Sequence, residues 1–201
     1  MNFRRIFSVL FVALMALVLA SPASASSVTL TYEYQQQNHY YLSVNGSSNF
    51  TPMMCDSFDN VVSRGETWTA TATPFLQGIA TSMFGPSMTL DYKAAGLIYK
   101  SMLAGTLTTL QAQWAVWGLF SPNAQTTQGA AIDATYLALA VNAPNSAYNG
   151  LVLYTPLNAR PGFGPQEYIG YSPVPEPSSM MLLGTGLVGL AGAIRRKLGR
   201  A

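Results

Sequence analysis

Thr109-Leu110-Gln111-Ala112-Gln113-Trp114-Ala115-Val116-Trp117-Gly118-Leu119-Phe120 is the stretch on which the reading of this chain turns. Leu110, Trp114, Trp117 and Leu119/Phe120 return at steps of three to four residues, the period of one helix face. The spacing predicts a helix over Leu107–Leu119, stopped by Ser121-Pro122-Asn123, with that stripe turned to a core and Gln113 flanking it. A glutamine so placed is either a packed amide or a reactive one. The single cysteine, Cys55, lies upstream in Pro52-Met53-Met54-Cys55-Asp56-Ser57-Phe58-Asp59-Asn60, so the functional question is whether Cys55 and Gln113 meet.

Around that helix the pattern changes from strands to helices and back. Ser27–Tyr34 sets Val28, Leu30, Tyr32 and Tyr34 on one side of an extended segment, and Tyr40–Val44 is placed to pair with it. Asn45-Gly46-Ser47-Ser48 reads as a turn, and Thr67–Thr73 as a third strand. Tyr92–Leu103 is predicted helical, with Asp91 as its cap, Tyr92, Ala95, Gly96, Tyr99 and Met102/Leu103 on one face, and Gly105 ending it. A third helix covers Ala130–Val141 and stops at Asn142 and Pro144. Two late strands, Leu151–Tyr154 and Gln166–Tyr171, return the chain to a sheet. The expected domain, residues 26–172, is therefore α+β: a β-sandwich or barrel-like sheet with a helical insert, large enough for one core.

Both ends carry targeting chemistry. Arg4 and Arg5 precede an apolar run from Ile6 to Ala20, followed by Ser21, Pro22 and the small-residue site Ala23-Ser24-Ala25, so residues 1–25 read as a removed signal peptide. The run is shorter than the roughly 20 residues a membrane span needs, which disfavours an anchor at this end. Residues 173–201 contain Val174-Pro175-Glu176-Pro177, an apolar Met180–Ile194 expected to form a transmembrane helix, and a basic tail with Arg195, Arg196, Lys197 and Arg200. Such a tail stays on the cytoplasmic side, which leaves the bulk of the protein outside the inner membrane.

The charge follows the same division. Of ten basic residues, only Arg64, Lys93, Lys100 and Arg160 lie between the ends, against eight acids if the chain is cut after Pro177. The exported part is then at −4 although the precursor is at +2. Nothing in that balance suggests a nucleic-acid partner.

The C-terminal order of a Pro-Glu-Pro motif, an apolar segment and an arginine cluster resembles the PEP-CTERM sorting signal. That resemblance implies a Gram-negative, exopolysaccharide-producing bacterium, a signal peptidase acting at one end, and an exosortase that recognises Pro175-Glu176-Pro177. It implies an inner-membrane-anchored precursor and then release to the cell surface or extracellular matrix. The middle of the chain has a second resemblance. Cys55-Asp56, the Gly65-Glu66-Thr67-Trp68 strand start, the Tyr92–Tyr99 helix and Gln113-Trp114-Ala115-Val116-Trp117 together resemble the thioester domains of bacterial surface adhesins. Met54 and Ala112 depart from that pattern, where an aromatic or Leu and a Thr are usual.

In that family a cysteine thiol and a glutamine amide condense into an internal thioester. Carried over, Cys55 is the nucleophile and Gln113 the electrophile, with Asp56 and Trp117 as supporting residues. The resemblance implies adhesion by acylation of a surface amine or hydroxyl, with an exopolysaccharide as another partner, and a single-use adhesive in place of a turnover enzyme. The alternative is a structural matrix protein whose lone cysteine is buried and inert, the commonest state of an unpaired cysteine.

Other chemistry finds little support. His39 alone cannot build a zinc site and is expected to be solvated in a loop; no metal or cofactor is expected. Nucleophile-elbow and phosphate-loop motifs do not occur in the exported part, and no Gly-x-Gly-x-x-Gly follows a strand. Tyr32, Tyr34, Tyr40 and Tyr41 are placed to stack on sugars, but tyrosines of a half-buried strand more often pack in a core. Asn45-Gly46-Ser47 and Asn49-Phe50-Thr51 match glycosylation acceptors in pattern only.

Overall fold

A computed structural model of the chain describes residues 25–36, 39–171, 184–186 and 189. The unit Ala25–Ser172 contains the sheet and the helices. In the second unit, residues 184–186 and 189 are helical and exposed. The expected signal peptide as far as residue 24, the Pro175-Glu176-Pro177 motif, the basic tail and most of Met180–Ile194 lie outside the described residues. Among the described residues no helix is long and apolar enough to cross a membrane.

The strands are β1 (Ser26–Gln36), β2 (His39–Val44), β3 (Thr51–Cys55), β4 (Thr67–Pro74), β5 (Leu151–Pro156) and β6 (Tyr168–Tyr171). They close an antiparallel barrel in the order β1-β2-β3-β6-β5-β4. This settles the sandwich-or-barrel alternative in favour of the barrel. Between β4 and β5 run a one-turn helix α1 (Phe75–Gly78) and three longer ones: α2 (Thr89–Leu103), α3 (Thr109–Phe120) and α4 (Thr127–Asn142).

Alternation along each strand divides two cores. Val28, Leu30, Tyr40, Leu42, Met53, Cys55, Trp68, Ala70, Tyr154 and Tyr168 fill the barrel, joined by Trp117 of α3. The intervening side chains Met54, Leu151, Leu153 and Ile169 face the other way and pack against Tyr92, Ile98, Tyr99, Ala112 and Val116 of the helical layer. Strand β3 therefore has no polar face: Met53, Met54 and Cys55 are all fully buried. Without alternation it gave no strand signal in the sequence, and its discovery here adds a sixth strand to the five expected.

The helix ends follow local chemistry. The Thr108 hydroxyl accepts from the Gln111 backbone N–H, and the Gln111 side chain accepts from the Thr108 N–H, a reciprocal capping box. Gly105, at φ 75°, supplies the left-handed residue that ends α2. Asp91 is not the cap of α2, as its position had suggested; that helix starts two residues earlier, at Thr89, and places Asp91 within the first turn. The expected face of α2 is otherwise correct through Tyr92, Ala95, Gly96, Tyr99 and Met102, while Leu103 is exposed.

The stripe expected on α3 is displaced. Leu110 is 53% exposed, and the buried residues are Ala112, Gln113, Ala115, Val116, Trp117 and Phe120. The helix lies between the barrel and the other helices, so small residues face close neighbours and Gln113 is at the core, not beside it. His39 is not a solvated loop residue either. It opens β2, and its Nε2 stands 2.9 Å from the Met102 sulfur. Its partial burial lowers its pKa.

Asp133 of α4 is 5% exposed, and neither carboxyl oxygen has a hydrogen-bond partner among the described residues. Burial, and then the charge of Asp91, push its pKa from 3.8 to about 7. A raised carboxyl pKa means that stability is fully present below pH 3.8 and declines as the pH rises toward about 7. Asp133→Asn removes that linkage. Its gain in thermal midpoint over the wild type is expected to be larger above that window than below it; equal differences at both ends would refute the assignment.

Candidate functional site

Cys55 ends β3 at the seam where the barrel closes, opposite Tyr168 of β6. Its neighbour Asp56 donates its N–H to the Glu167 carbonyl on the β6 side, at 3.3 Å. Alternation then points the Cys55 N–H and C=O the other way, toward the β2 side. There the β2 ladder reaches Met53, which pairs with Tyr40, and Cys55 lies two residues further along. The Gln113 side chain supplies both partners. Its Oε1 accepts from the Cys55 N–H at 3.3 Å, and its Nε2 donates to the Cys55 carbonyl at 2.6 Å. A carboxamide on a helix thus completes the hydrogen bonding of a strand end.

Both residues are fully buried. The Cys55 N–H aimed at the Gln113 carbonyl oxygen is a donor placed where negative charge develops if that carbonyl is attacked. The nucleophile is less ready. Burial first, and then the neighbouring Asp56 carboxyl, push the Cys55 thiol up to about 12, so at neutral pH it carries its proton. Three groups pull the other way: the Trp117 indole N–H, the Ser57 backbone N–H and the Ser57 hydroxyl, whose oxygen is 3.8 Å from the sulfur. Trp117 is held at the mouth of the barrel core by Phe58 and Trp114, with ring centroids 5.2 Å from each.

Behind Cys55 lies a group that the sequence reading had not singled out. Glu167 is fully buried beside Asp56. Its Oε1 accepts from the Tyr92 hydroxyl at 2.5 Å, and its Oε2 accepts from the Thr155 hydroxyl at 2.5 Å and the Met83 N–H at 2.9 Å. Asp56 has the opposite environment. Neither of its oxygens meets a donor in hydrogen-bonding geometry, although the Glu167 carboxyl and the Ser57 hydroxyl stand close enough to bear on its charge. Desolvation, followed by repulsion from Glu167, holds Asp56 well above the ordinary carboxylate range. Two acids so placed cannot both ionise, and the donors around Glu167 assign the charge to it and the proton to Asp56. The available signal for Glu167 was an isolated acid at the start of an otherwise apolar strand, flanked by Gln166 and Tyr168.

The tyrosines do not divide as simple alternation along β1 predicts. Tyr40 and the partly buried Tyr32 pack with the barrel core, but a register shift between Tyr32 and Tyr34 takes Tyr34 off the face expected for it with Val28, Leu30 and Tyr32 and sets it beside Tyr41; both are half-buried and stack with centroids 4.6 Å apart. Among the described residues no group of three or more His, Cys, Asp or Glu is arranged to hold a metal ion.

No curated protein matches the chain. Among solved structures, the unit is similar to the N-terminal thioester domain of a surface protein from Clostridium perfringens, at 14% identity and a TM-score of 0.41, covering 72% of this chain and 98% of that one. The PEP-CTERM protein-sorting motif matches residues 173–197, and with it the chain carries the mark of an exported precursor directed to exosortase processing.

Proposed function

We propose that the exported domain closes an internal thioester between Cys55 and Gln113 and acts as a covalent adhesin at the cell surface or in the extracellular matrix. The observation that carries this reading is the pair of hydrogen bonds that holds the Gln113 carboxamide on the Cys55 backbone in a site closed to water. Amides are poor electrophiles, so closure depends on holding sulfur near the carbonyl and polarising its oxygen. The sulfur–carbon bond forms, the carbon–nitrogen bond of Gln113 breaks, and ammonia leaves with the thiol proton. A surface amine or hydroxyl then takes the acyl group and restores the thiol. Each molecule reacts once, so the protein is an adhesive and not an enzyme with turnover.

The intact mass of the purified exported chain, before and after methylamine, tests this. The expected result is a deficit of one ammonia, replaced by the mass of one methylamine after treatment, with neither change in Cys55→Ala or Gln113→Ala. A second reading, a structural matrix protein with an inert thiol, is favoured by the raised pKa of Cys55 and by the completeness of the Gln113 hydrogen bonding. A full mass, a free thiol and no response to methylamine would make it the better account.

A further inference from the structure

The thioester reading leaves a buried pair of acids unused. Desolvating two carboxyls beside each other is costly, and a structural role would be served at less expense by two amides. The pair is also asymmetric. Glu167 is surrounded by three donors, Asp56 by none, and Asp56 is the residue directly after the cysteine.

Ser57 joins this pair to the sulfur. Its Oγ is 3.8 Å from the Cys55 Sγ and accepts the Glu167 backbone N–H at 2.8 Å. With that acceptor site taken, the hydroxyl proton is free to turn toward the unpartnered Asp56 carboxyl. From the thiol through the Ser57 hydroxyl to Asp56 and Glu167 the exchangeable groups stand in order, Asp56 close enough to Ser57 and Glu167 to feel both though hydrogen-bonded to neither at rest, and the set is sealed from solvent. The other titratable groups facing it are the Tyr92, Tyr168 and Tyr40 hydroxyls, from α2, β6 and β2.

Resting on the thioester reading, we infer that Ser57, Asp56 and Glu167 form a proton relay that takes up the Cys55 thiol proton as the sulfur attacks Gln113 and returns it to the departing nitrogen. Ser57 accepts the thiol proton and gives its own to Asp56, which gives its own to Glu167. As the carbon–nitrogen bond breaks, the sequence runs backwards and the nitrogen leaves as ammonia. No proton is gained or lost overall, and no oxidant or cofactor takes part. The relay answers the difficulty posed by a thiol that is protonated at rest: the thiolate exists only while the attack proceeds.

The test uses the full chain, prepared unfolded with Gln113 intact and transferred into folding buffer with detergent. Ammonia loss is followed by intact mass against time across neutral and alkaline pH, with near-ultraviolet circular dichroism reporting folding in parallel. Ser57→Ala and Glu167→Gln are expected to fold yet lose ammonia at least about ten-fold more slowly, a cautious share of the 10²–10⁴-fold typical of positioned acid–base groups. Glu167→Gln should in addition flatten the dependence of the closure rate on pH, which a packing defect would not do. Folded variants that close at the wild-type rate with the wild-type pH profile would overturn the relay and leave the thioester standing. A wild-type chain that folds and keeps its ammonia would remove both. Where Glu167→Gln fails to fold, Ser57→Ala decides alone, because it leaves the carboxyl pair in place.

Discussion

Gln113→Ala is expected to cost about 4 kcal/mol of folding stability, because it orphans a buried backbone donor and a buried backbone acceptor at ~1–3 kcal/mol each. Both belong to Cys55, which lies in the barrel core with no exposure, so water cannot replace the lost amide. The measurement is made in a Cys55→Ala background, where no covalent bond can form and only the hydrogen bonds are compared. Denaturant midpoints for the single and double variants give the difference. A loss below about 1 kcal/mol, the size of an average point substitution, would mean that the strand end does not depend on the glutamine. Gln113→Glu refines the test. Protonated, that side chain offers the Cys55 carbonyl a donor; ionised, it offers a second acceptor and a buried charge. Its penalty should therefore grow as the pH rises, with Gln113→Ala showing no matching trend.

Replacing Pro175, Glu176 and Pro177 together by alanine is expected to leave the precursor in the inner membrane, with little or none reaching the surface or the medium. These three residues lie within the matched sorting motif, and a processing enzyme that reads a short extended segment depends on its proline-fixed backbone and its acid. Fractionation followed by mass measurement distinguishes a retained precursor from a processed product. Normal release of the triple variant would separate sorting from this tripeptide. The effect should be independent of Cys55, so a Cys55→Ala chain should be sorted as the wild type is.

Five of the six strands and all three long helices were legible in the sequence: β1, β2, β4, α2 and α4 mix residues that meet solvent with residues that do not, while β5, β6 and α3 stand out as apolar and aromatic runs bounded by turn residues. What was missed has a common cause. Strand β3 is buried on both sides, Met54 against the helices and Met53 and Cys55 in the barrel, so its pattern carries no period. Helix α3 is also surrounded, and the tryptophans that drew the eye to one stripe mark the end of the barrel while alanines and Val116 mark the core. Of the site, Cys55, Asp56, Gln113 and Trp117 were named from short motifs, and their arrangement was not readable. Glu167 depends on a contact between positions far apart in the chain, and an isolated acid beside a strand is ordinarily solvated. Its burial follows only from the closure of β6 against β3.

That closure has a consequence for how any partner can be engaged. Every strand of the barrel has a neighbour on each side, and the strand end at Cys55, which lies beyond its ladder, is covered by Gln113, while residues 33–36 of β1 run on past the pairing with β4. Among the described residues strand addition, a common route both to recognition and to unwanted fibril growth, is therefore confined to short overhangs of this kind. Pairing between copies through the sheet has correspondingly little backbone to use, and a partner meets this domain chiefly through side chains.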